Sequence, residues 1–134
     1  MTHSMRIALA GICLAGSVAA AGAPATRRIS YTPDQAWQGR LAYYDHCAEC
    51  HGGDLAGNFA PALAGTNSEL QWLTGKYVYG YITVSMPHGD PGALSPTEYI
   101  DIMAFLYQQH HRPAGREPLT KQALNADVAP LGGQ

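Results

Sequence analysis

Cys47-Ala48-Glu49-Cys50-His51 is the stretch on which the reading of this chain turns. Two thiols three residues apart can add to the two vinyl groups of a haem, and the imidazole that follows at once can ligate its iron from one side. Other chemistries account for the residues less well. A thioredoxin-like dithiol follows a strand in a βαβ unit, whereas this pair follows a helical pattern with no strand signal near it. A structural zinc site needs a second ligand pair, and the remaining cysteine, Cys13, lies far away near the start of the chain. A plain disulfide between Cys47 and Cys50 leaves His51 without a role. One covalently attached haem c is therefore the expected cofactor, bound by Cys47 and Cys50 with His51 on the iron.

Working outward, Thr32-Pro33-Asp34-Gln35 offers a hydroxyl N-cap, proline at the first helical position, an early acid and a glutamine that completes a capping box. A helix is predicted from there to about His46, with Trp37, Leu41 and Tyr44 on one stripe and Gly39 and Tyr43 on another, both with something to pack against. Ser95-Pro96-Thr97-Glu98 repeats the grammar, and Tyr99, Ile102, Met103 and Leu106 continue it as an apolar face. His110 and His111 fall at the end of that helix, where a cation suits the dipole, and Pro113 stops it. Between Ser68 and Ser85, Leu70, Leu73, Tyr77, Tyr81 and Val84 fit a helical stripe better than the alternation of Tyr77, Tyr79 and Tyr81 fits a strand. Glycines and prolines mark loops on both sides of this middle helix, at 52–65 and 87–92.

The remaining organisation follows from composition. A chain of 134 residues, 46% apolar and 13% charged, is one ordinary domain and not a charged disordered tail. A formal charge of −2 excludes the electrostatic footprint of a nucleic-acid binder. Residues 1–21, with a cation at Arg6, an apolar run and small residues at the end, read as a secretory signal peptide with cleavage between 21 and 25. The run is rich in Ala and Gly and lacks the strongly apolar stretch of about 20 residues that a span needs. Cys13 is an apolar passenger within it. Residues 22–32 read as a linker, 33–111 as the haem domain, and 112–134 as an extension that lies over the body through Leu119 and Leu124 and frays at its end. The mature protein is expected to be periplasmic and soluble, without stable membrane insertion.

The chain resembles the class I, single-haem c-type cytochromes over residues 34 to 110. The resemblance rests on Gly39, Tyr43 and Cys47 spaced by four, on Cys47-x-x-Cys50-His51-Gly52, on Ala60-Pro61-Ala62-Leu63-x-Gly65, on Met86-Pro87, and on Asp101-Ile102-Met103-Ala104-Phe105-Leu106. It implies an all-α fold of three to five helices wrapped around the haem. It further implies that Gly39 and Tyr43 cross the last helix near Ile102 and Phe105. Pro61 would offer its carbonyl to His51 Nδ1, although an ordinary turn proline is an equal reading of the residue alone. Tyr43, Leu63, Trp72 and Phe105 would pack the haem pocket.

For the sixth ligand, Met86 is biased by Pro87 toward an extended loop conformation, and its thioether would complete a His/Met iron. Met103 belongs to the apolar stripe of the last helix, and His88 is the rival ligand. The Met-Pro match to the family favours Met86. A six-coordinate iron has no vacant position, so the expected function is one-electron transfer by a carrier that is not an enzyme. If Met86 does not bind, the alternative is a haem protein that takes up gases or peroxide. Between Ser30 and His111 the only cations are Arg40 and Lys76, against eight carboxylates, which reads either as a solvated surface or as a docking face for basic partners. The segment from Met86 through Pro96 into Tyr99 also looks like cytochromes that accept electrons from periplasmic quinoprotein dehydrogenases. Expected donors are thus a periplasmic dehydrogenase or a quinol-oxidising complex, and expected acceptors an oxidase, peroxidase or reductase. A fixed subunit of a dehydrogenase complex is the further alternative, with Trp72, Tyr77, Tyr79 and Tyr81 as interface candidates, although packing in the haem pocket is the preferred reading of these aromatics.

Overall fold

Two capping boxes start the two long helices of the computed structural model, which describes residues 1 and 29–133. The expected signal peptide with Cys13, and most of the expected linker, lie outside the described residues. Thr32 Oγ1 accepts from Gln35 N at 3.2 Å while the Gln35 amide returns to Thr32, and helix α1 runs Pro33–His46. Ser95 and Glu98 exchange the same pair of bonds at the start of the 14-residue helix Pro96–Gln109. Each box satisfies amide groups that a helix start otherwise leaves without partners.

After Cys47 the chain makes one further turn, α2 at Ala48–His51, and α3 spans Gly75–Ser85, so the long helix opened by Ser95 is α4. The single middle helix expected from Ser68 onward is in fact two pieces. A 3₁₀ turn at Glu69–Trp72 is capped by Ser68, Leu73 is extended, and Thr74 starts α3 afresh by accepting from Tyr77 N. A second hydroxyl cap six residues after the first lets the backbone restart in a new direction.

The helices α1 and α4 cross through small residues. A Cβ on Gly39 would overlap the Asp101 carbonyl, so the two backbones meet there. Buried Ala36, Ala42 and Tyr43 continue the contact, and the Tyr43 and Phe105 rings lie 5.4 Å apart. Because α1 buries its small residues, the large ones turn outward: Trp37, Leu41 and Tyr44 are exposed, with the Arg40 guanidinium over the Trp37 and Tyr44 rings and the Tyr44 hydroxyl on Gly53 O.

The tail lies on the body through Leu119 and Leu124. It is pinned along its length and does not fray within the described residues. Leu119, Leu124 and Leu131 are buried, and helix α5 occupies Lys121–Ala126. Gln35 bonds both backbone groups of Leu119, Gly115 N donates to Tyr31 O, Leu131 N donates to Leu73 O, and Thr74 forms an isolated bridge with Pro130. Tyr31, placed by sequence in a linker, is 1% exposed with its hydroxyl on Arg112 O. Buried residues therefore extend from Tyr31 to Leu131 among the described residues. Among the described residues the architecture is five α-helices with no strand.

Candidate haem site

Helix α2 turns the Cys47–His51 segment toward one cavity of about 740 Å³, lined by Cys47, Cys50 and His51 on one side and by Met86, Pro87 and His88 on another. The segment is held at both ends. Tyr43 donates its hydroxyl to Gly52 O at 2.6 Å, and Cys47 N donates to Tyr43 O at 2.8 Å. Cys47 is half-buried and Cys50 exposed. Burial, with a smaller contribution from neighbouring Cys50, pushes the Cys47 thiol up to about 11, so it is neutral at ordinary pH.

The loop after Gly52 folds back on this segment. Gly57 N donates to His51 O, Ala60 N to Cys50 O, and Leu63 N to Leu55 O, with Leu55 buried beneath. This brings the Pro61 carbonyl 2.8 Å from His51 Nδ1. A carbonyl can only accept, so Nδ1 carries the hydrogen and Nε2 keeps its lone pair for a metal. The far end of the loop is tied to α4, where His110 Nε2 donates to Leu63 O at 2.9 Å. The sequence predicts only helix-end chemistry for His110; its loop contact spans 47 positions and has no local signal.

The opposite wall comes from the end of α3. Met86 is its C-cap, with extended backbone and a cis bond to Pro87, and Tyr99 donates its hydroxyl to Met86 O at 2.6 Å. His88 lines the same cavity but is exposed, whereas Met86 is half-buried. Met103 is wholly buried in the α4 core and is not on the wall. Among the expected packing residues, Tyr43 and Leu63 line the cavity. Phe105 stands one layer behind, against Tyr43. Trp72 is a correction: placed in the pocket by resemblance alone, it lies off the helical stripe, is 61% exposed and is not on the wall, whereas the stripe residues Leu70 and Leu73 line the cavity. Tyr99, Leu94, Ile102 and Val78, which no sequence motif assigns to the pocket, complete the apolar surface.

The residues fit a haem. Two thiols, an imidazole with its metal-facing nitrogen available, and a thioether converge on an apolar cavity. Comparison with known proteins agrees. Residues 34–106 match the family described as Cytochrome C oxidase, cbb3-type, subunit III. No curated protein matches the chain. Among solved structures, the chain is similar to one in the crystal structure of the sulfane dehydrogenase SoxCD from Paracoccus pantotrophus, at 25% identity and a TM-score of 0.62. The match covers 79% of this chain but 63% of the other. With more than half its length matched, the chain belongs to this cytochrome c family. It is a c-type cytochrome with covalently bound haem c.

Proposed function

We propose that the protein is a periplasmic one-electron carrier whose single haem c is attached through Cys47 and Cys50 and ligated by His51 and Met86. The observation that carries the reading is the convergence of these four side chains on one cavity, with the His51 tautomer set by Pro61. Bound haem supplies one-electron exchange at its iron. The chain contributes the rest. Pro61 orients the imidazole, while Leu63, Val78, Leu94 and Ile102 exclude water and lower the local dielectric. A soft thioether from Met86 favours the reduced iron and raises the potential. Were His51 and Met86 both to hold the haem iron, no position would remain for a substrate. Export rests on the signal-peptide reading of residues 1–21, and no helix among the described residues is long and apolar enough to cross a membrane. Donor and acceptor are periplasmic redox proteins, with a dehydrogenase as the favoured donor.

Maturation of the full chain with covalent haem, followed by absorption spectra in both oxidation states, tests this. The expected result is a c-type haem spectrum with the weak far-red charge-transfer band of a Met-bound ferric iron, lost in Met86→Ala. Haem without that band, together with rapid carbon monoxide binding to the reduced protein, would replace the carrier with a gas- or peroxide-binding protein.

A second reading makes the protein a subunit of a dehydrogenase complex. It is supported by the likeness to a SoxCD chain and by the exposed Trp37, Leu41 and Tyr44 stripe, which leaves an apolar helix face open. Stable co-purification with a dehydrogenase would favour it, and a monomeric, freely diffusing cytochrome would exclude it.

A further inference from the structure

Met86 and His88 stand two residues apart on one loop and line one cavity, so something must decide which reaches the iron. The loop that carries them, with Pro87, Gly89, Pro91 and Gly92, has little regular structure to fix it. The Met86 backbone is nevertheless held from three directions. Its N–H donates to Ile82 O at 3.1 Å, and its carbonyl accepts from Gly92 N at 3.2 Å and from the Tyr99 hydroxyl at 2.6 Å. Tyr99 belongs to the first turns of α4, is 4% exposed, and lines the cavity itself. It is therefore anchored to a 14-residue helix, while the group it grips belongs to an irregular loop. The His88 backbone has no comparable side-chain bond to α4 among the described residues.

We propose that Tyr99 is a positioning residue that selects Met86 over His88 and over external ligands by fixing the Met86 carbonyl, and hence its α-carbon, against α4. This inference rests on Met86 being the iron ligand. A thioether is a weak ligand to ferric iron, so a small loss of backbone restraint changes the fraction of molecules in which it is detached. An external ligand binds only that fraction, and its apparent affinity rises in proportion.

The test is titration of the matured ferric holoprotein with free imidazole, following the far-red band, in a His88→Ala background that removes the internal rival. Tyr99→Phe keeps the ring and deletes one hydrogen bond; the expected rise in apparent imidazole affinity is about fivefold, the scale of one such bond. With His88 restored, Tyr99→Phe is expected to lose part of the band and lower the midpoint potential without added imidazole. Leu124→Val, a change of similar cost in the buried tail far from the cavity, is expected to lower the denaturation midpoint and leave imidazole affinity unmoved. An unchanged affinity in Tyr99→Phe while Met86→Ala abolishes the band overturns the role of Tyr99 and leaves the Met86 reading standing. An equal rise in Leu124→Val also overturns it, since general loosening would then suffice. A band that survives Met86→Ala overturns the ligand reading and this inference with it.

Discussion

Gly39 of α1 lies against the Asp101 carbonyl of α4 so closely that a methyl group has no room between them. The partner is backbone, which cannot rotate aside, so Gly39→Ala must push the two longest helices apart. Since α1 carries Tyr43 and α4 carries Tyr99, Ile102 and Leu106, the same displacement opens the cavity wall. Gly39→Ala is expected to cost about 2 kcal/mol or more, read as a lower denaturation midpoint. A stability within 0.5 kcal/mol of the parent, about the scatter of neutral surface changes, would show that the helices do not meet as described.

That crossing is legible in the sequence through its family resemblance, and the helices that make it are legible through their caps. The caps at Thr32 and Ser95 are local: each bond joins residues three apart, so their chemistry is written in consecutive letters. The Cys47 to His51 motif is local in the same sense. The tail is not. Gln35 bonds Leu119 across 84 positions and Tyr31 reaches Arg112 across 81, contacts to which no hydrophobic period points. Trp72 departs from expectation for a different reason, since its pocket role came from resemblance alone, while the stripe residues Leu70, Leu73, Tyr77 and Tyr81 line the cavity. Tyr99 is core by its period and core in the fold, but its hydroxyl bond to the Met86 backbone has no signature in sequence.

Tyr107 and Asp127 form a buried side-chain tie between tail and body. The tyrosine is fully buried, its hydroxyl donates to the aspartate carboxylate, and Asp127 Oδ1 also accepts from Ala129 N. Asp127→Ala leaves a buried phenol without its acceptor, at an expected cost of about 2 kcal/mol. Combined with Tyr107→Phe, the losses should be far from additive, with a coupling of about 1 kcal/mol or more. Strict additivity in the denaturant midpoints would mean that the two groups do not act as a pair.

His110 makes stability depend on pH in a defined direction. Burial chiefly, and its neighbour His111 to a lesser degree, hold its pKa below the usual value, while the bond to Leu63 O opposes them. The folded protein thus binds fewer protons here than the unfolded chain, whose histidine titrates at about 6.5. The stabilisation is complete above that pH and is lost as pH falls through 6.5 toward the lower folded value. His110→Gln, which does not titrate, is expected to flatten the difference in unfolding free energy between pH 7.5 and 5.5 relative to the parent. A parallel pair of pH profiles would remove His110 from the balance.

The carboxylates give electron transfer a sign. Glu49 lines the cavity and is exposed, and Asp54 and Asp90 are exposed in the loops on either side of the site. A cationic reagent approaching there is attracted and an anionic one repelled, over a screening length of about 10 Å at 0.1 M salt. Stopped-flow reduction by a hexaammine ruthenium cation is therefore expected to slow several-fold between about 10 mM and 300 mM salt, and oxidation by ferricyanide to speed up. Glu49→Gln with Asp90→Asn should weaken both trends, because it removes charge without changing shape. Rates indifferent to salt for both reagents would leave the acidic surface a solvated one and remove the docking-face reading.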